Sequence, residues 1–155
     1  MQTMNYRKYT QELLFSLGIN HRFKSCEYFI SSIEFIHTQK KYVIPDSEMI
    51  YSYVAAKYNV APVAVENGMR NTIQCIWTTK ADVDLMRTIF GSYNLEKRPC
   101  NMEFLMLFYN YINTLINAVQ RYLGVYAGFG CDTDKSNIVF LYHLFVISIA
   151  FNRSI

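Results

Sequence analysis

Charge is scarce in this chain. Only 17% of its 155 residues are Asp, Glu, Lys or Arg, and the formal net charge is +3, so it has no basic arm or tail that would hold nucleic acid by charge alone. Any nucleic-acid contact must be local. The four cysteines, Cys26, Cys75, Cys100 and Cys131, form no C-x-x-C pair, and the three histidines are not at metal-ligand spacing, which argues against a zinc site. They read as reduced, intracellular thiols. No glycine-rich phosphate loop, metal motif or nucleophile elbow occurs, and His21, His37 and His143 have no neighbouring nucleophile or carboxylate pattern. The expectation is a protein that is not an enzyme and uses no cofactor.

Long apolar runs are missing too. The one stretch that resembles a span, "IVFLYHLFVISIAF" at residues 138–151, falls short of the roughly 20 residues that cross a bilayer. The start of the chain lacks a small-residue cleavage site. These features predict a cytoplasmic protein with no membrane partner. An apolar block of this kind needs cover, so residues 114–155 are expected to form a C-terminal extension that packs on the domain or on a second copy. Helix and strand both fit it, because Val139, Phe140, Phe145 and Val146 are also β-formers.

What is abundant is helical periodicity. Tyr6, Tyr9, Leu13 and Leu17 recur before Gly18, and Cys26, Phe29, Ile30, Ile33 and Ile36 form a second stripe. Pro45 and Asp46 precede a third helix, capped by Asp46 or Ser47, in which Ile50, Tyr53, Val54 and Tyr58 face inward. Pro62 suits a first helical position and opens a fourth. Residues 82–90 form a short fifth helix closed by Gly91, with Asp82 and Asp84 at its start, where the dipole favours negative charge. Asn101 is the expected N-cap of a sixth, which places Phe104, Phe108 and Tyr109 in the core. After Tyr122 the glycines and polar residues of "GVYAGFGCDTDKSN" predict a loop. The fold class is all-α.

The fourth helix has two faces. Placed at about 100° per residue, Val65, Met69, Thr72, Ile73, Ile76 and Trp77 share one half of the cylinder. Glu66, Asn67, Arg70, Asn71 and Gln74 occupy the other, with Gly68 near the boundary. The second set is amide-rich and holds one cation. It matches the groups that read base edges in the major groove: Arg for guanine, Asn or Gln for adenine, Glu for the cytosine amine. The short link at residues 59–61 has the length of a helix-turn-helix corner. Lys24, Lys40, Lys41, Lys57 and Lys80 are candidates for phosphate contact, and Lys57 and Lys80 are the best placed, each near an end of the two-helix unit.

The run "AAKYNVAPVAVENGMRNTIQCIW", with "DLMRTIFG" and "RPCNMEFLML" after it and "LLFSLGI" and "YFISSIEFI" before it, resembles the C-terminal DNA-binding effector domain of the stage zero sporulation protein A family. Ala56, Lys57, Tyr58, Asn59, Val65, Glu66, Arg70, Ile73 and Trp77 carry the likeness. It implies a six-helix domain over residues 1–113 that binds short direct sites in double-stranded DNA as a tandem homodimer. It also implies that the family's base-reading positions fall on Glu66, Asn67 and Arg70. The family usually has arginine at the position of Asn67, a serine-arginine pair at Val63 and Ala64, and alanine at Gly68. A receiver domain has no room ahead of residue 10, so phosphorelay control of this chain is not expected.

Two functions follow from these readings. One is a sequence-specific DNA-binding transcriptional regulator reading through residues 62–77. The alternative is a protein-interaction module of the same fold, acting through another regulator or RNA polymerase.

Overall fold

In the computed structural model, residues 6–91 and 95–127 are described, and they contain six α-helices and no strand. The order is α1 (Tyr6–Ser16), α2 (Lys24–Gln39), α3 (Ser47–Tyr58), α4 (Pro62–Thr79), α5 (Val83–Phe90) and α6 (Asn101–Ala127). The terminators are those that local chemistry favours. Gly18, with φ +89°, follows α1 and lies where a Cβ would stand 3.1 Å from the Cβ of Ala81. Asp46 caps α3 by accepting from the Met49 N–H at 2.9 Å, and Asp82 caps α5 by accepting from Leu85 N–H at 2.9 Å.

Helix α2 is the spine of the domain. It packs against α1, α3 and α4, and α3 also packs on α4. Cys26, Phe29, Ile30, Ile33 and Ile36 are buried along it, as their spacing predicts. An aromatic cluster closes the core: Phe104 of α6 lies 5.2 Å from Phe29 of α2, 4.8 Å from Phe90 of α5 and 5.3 Å from Phe108, ring centre to ring centre. Trp77 of α4 joins it at 5.0 Å from Phe90. Rings at these separations attract beyond the area they bury.

Three local expectations are corrected. Tyr53 does not face inward; it is 41% exposed and stacks on Phe35 at 4.3 Å. Asn101 is not the cap but the first residue of α6: Cys100 stands before it, with Sγ accepting from the Glu103 N–H at 3.5 Å, and the Asn101 side chain donates instead to the carbonyl of Glu66 at 3.0 Å. The helix also does not stop at Tyr122. It continues through Gly124 to Ala127, since a single glycine costs a helix only about 1 kcal/mol.

The chain divides into two units after Ile112. The first holds α1 to α5 and the start of α6. The apolar block at residues 138–151 and Cys131 lie outside the described residues. No described helix is long and apolar enough to cross a membrane.

Candidate functional site

Helix α4 is set by its two ends and by one close approach. Ala61 is extended before it, Pro62 takes the first turn, and Lys80 closes it in the left-handed region at φ 47°. Its buried residues are Val65, Met69, Thr72, Ile73, Ile76 and Trp77, the face that the periodicity assigns to the core. Gly68 lies against α2, where a Cβ would stand 3.3 Å from the ring of Tyr28. Four positions on, the Thr72 hydroxyl donates to the Gly68 carbonyl at 3.0 Å and lies 2.6 Å from Ser25 Oγ of α2. A glycine here lets α4 seat closely on α2.

On the outer face, three of the expected residues come together. The Arg70 guanidinium donates to Asn67 Oδ1 at 3.2 Å and pairs with Glu66 one turn back. Asn67, Arg70, Asn71 and Gln74 are exposed, and Glu66 is half-buried. Further along, Gln74 donates from Nε2 to Thr78 Oγ1 at 3.1 Å. The set is a ready array of donors and acceptors on one helix face.

The two lysines expected at the flanks behave differently. Lys57 donates from Nζ to Ser31 Oγ at 2.9 Å and approaches Glu34 at 3.8 Å, both on α2, so its contacts are to the domain and not to the α4 array. Tyr58 beside it shares Ser31 and reaches Glu27, which pairs with Arg7 of α1 at 3.1 Å. Lys57 is therefore one member of an α1–α2–α3 polar network. Lys80 is exposed, ten residues past Arg70, or about 15 Å along the axis. Of the secondary candidates, Lys40 and Lys41 lie over the rings of Tyr109 and Tyr42, at 5.1 and 5.7 Å.

Residues 10–112 match the family model described as Sporulation initiation factor Spo0A C terminal. The chain belongs to that family. The Spo0A C-terminal domain is the DNA-binding effector domain of a sporulation regulator, and the all-helical fold seen here agrees with it. The match stops at the residue where the chain divides into its two units, although α6 itself runs on to Ala127.

Within the Spo0A C-terminal domain, the structure adds two residues that the sequence reading passed over. A groove of about 710 Å³ runs beside α4, lined by the start of α3, by Pro62, Glu66, Arg70 and Ile73 of α4, and by residues 97–103. Lys97 and Arg98 stand on its α5–α6 side, and Arg98 donates from Nη1 to Gln74 Oε1. The signal was present as the Lys-Arg pair before Pro99, but it stood in a stretch read only for its family likeness and as the approach to the sixth helix. Tyr51 also lines the groove, and burial pushes its phenol above the ordinary value.

Proposed function

We propose that this domain reads double-stranded DNA by placing α4 in the major groove as the second helix of a helix-turn-helix formed with α3. Glu66, Asn67, Arg70, Asn71 and Gln74 face base edges, and Lys80 touches phosphate. The observation that carries this reading is the Arg70 array: one helix face presents a guanidinium, a carboxylate and amides, in a chain that belongs to a DNA-binding family. Arg70 is paired in the unbound protein, which raises the question whether it is available. Its partner Glu66 is four residues away on the same helix, and both side chains are more than a third exposed. Such a pair contributes only about 0.3–0.5 kcal/mol, whereas a bidentate guanine contact discriminates by about 1–3 kcal/mol. DNA wins that competition.

Selection of bound sites from random duplex DNA tests the reading. The intact protein is expected to enrich a short motif, repeated in tandem if two copies bind as a homodimer. Arg70→Ala should lose about 1–3 kcal/mol of preference at one base pair while leaving binding to unrelated DNA nearly unchanged. A variant that keeps the full preference would show that Arg70 reads nothing.

A second reading, protein contact with another regulator or RNA polymerase, has its own observation. Tyr42, Val43 and Ile44 form an exposed apolar run between α2 and α3. A protein that enriches no DNA motif at low salt but binds polymerase directly would favour it.

A further inference from the structure

The start of α6 and the residues just before it are pinned to α4 at two levels. Asn101 donates to the carbonyl of Glu66 at 3.0 Å, and Arg98 donates to the side chain of Gln74. Pro99 between them is buried, while Lys97 and Arg98 are exposed. Two cations are thus held beside the outer face of α4, over the same two turns that carry Arg70.

The charges around them decide what these cations face. The groove lining holds Arg70, Lys97 and Arg98 against Glu48, Glu66 and Glu103, three cations to three carboxylates. Glu66 is taken by Arg70. Glu48 and Glu103 sit in the first turns of α3 and α6, where the positive ends of those helix dipoles favour them. Lys97 and Arg98 form no ion pair among the described residues. Arg98 uses one guanidinium nitrogen on Gln74, and a guanidinium has five N–H donors in all. Donors remain for the non-bridging oxygens of a phosphate.

We infer that Lys97 and Arg98 form a phosphate clamp that grips the DNA backbone bordering the groove entered by α4, with Gln74 linking the clamp to the base-reading face. The inference rests on the reading of α4 as the recognition helix. A helix lying in the major groove has a sugar-phosphate strand on each side, and cations carried just off its flank meet that strand. Contacts to phosphate set register and affinity; they carry no base preference of their own.

Salt dependence separates this role from the others. Each phosphate contact adds about 0.9 to the slope of log affinity against log salt and roughly fivefold to affinity at 0.15 M salt. Lys97→Ala combined with Arg98→Ala, in the full chain, should lower the slope by about 1.8 and weaken selected and unrelated duplexes alike. Arg98→Lys should restore most of the slope. Both positions are exposed, and an unchanged helical spectrum checks that the fold is intact. If Arg98 serves only to hold Gln74, then Arg98→Ala will alter the preferred motif as Gln74→Ala does, with the slope unchanged, and the clamp is refuted. An unchanged slope in a protein whose preference still depends on Arg70 refutes the clamp and leaves the α4 reading standing. Absence of any duplex binding by the intact chain overturns both.

Discussion

At the residue scale, Gly68 shows how a change at the edge of a helix's outer face can be decided by the helix packed against it. Read from sequence, a glycine at this position costs α4 about 1 kcal/mol against alanine. In the folded domain it is only half-exposed, and the Tyr28 ring stands where the new methyl would press, at 3.3 Å. Tyr28 is itself buried and leans on Tyr58 at 5.5 Å, so it has little freedom to yield. Gly68→Ala in the wild-type background is therefore expected to gain less than the propensity difference. In a Tyr28→Ala background, where the obstruction is gone, the same substitution should recover close to the full ~1 kcal/mol. Denaturant unfolding of the four proteins gives the coupling directly. Equal effects in both backgrounds would mean that the ring does not control the site.

At the element scale, the ends of α3 and α4 are where conformation and chemistry meet. Both helices close on a non-glycine residue in the left-handed region, Asn59 at φ 53° and Lys80 at φ 47°. Asparagine tolerates this conformation, because its short side chain can bond locally. Lysine has no such compensation and bears a penalty of about 1 kcal/mol or somewhat more relative to glycine. Retaining a cation at a strained helix end is understandable if the charge is used. Lys80→Gly should accordingly stabilise the fold, by up to about 1 kcal/mol after the added freedom of the unfolded chain is set against it. The same variant should lower the salt slope of DNA binding by about 0.9. Stabilisation without any change in slope would remove Lys80 from the phosphate contacts.

For the whole molecule, the boundary after Ile112 and the length of α6 pull in different directions. The family match and the first unit both end at residue 112, and the core cluster around Phe104 lies before it. The helix nevertheless continues for fifteen more residues, to Ala127, with Leu115 and Ile116 buried. We propose that residues 1–113 are the DNA-binding domain and residues 114–155 an extension. A chain ending at Asn113 is then expected to stay helical, to unfold cooperatively and to bind the same motif. Its melting temperature should fall, because α6 loses its last turns and frays at the cut. Circular dichroism melts and the selected duplex check both statements. Loss of cooperative unfolding would show that the extension belongs to the domain.

The sequence by itself determined where the helices begin and, Tyr53 apart, which faces they bury. The buried residues of α4 are those that a 3.6-residue period assigns, and Asp46, Pro62 and Asp82 act at helix starts as their chemistry dictates, since capping and periodicity are local properties. The family was legible for the same reason, in side chains spaced along one corner. Only the tertiary structure decided which polar groups meet. Lys57 joins α2 through Ser31 and Glu34, Asn101 bonds the backbone of α4 instead of capping α6, and Arg98 reaches Gln74 across 24 positions of chain. Such contacts depend on how the helices are stacked, and no local pattern encodes the distance between two elements. The flank of the polar face of α4 was written in the sequence as two ordinary letters before a proline; packing of the residues before α6 against α4 placed them there.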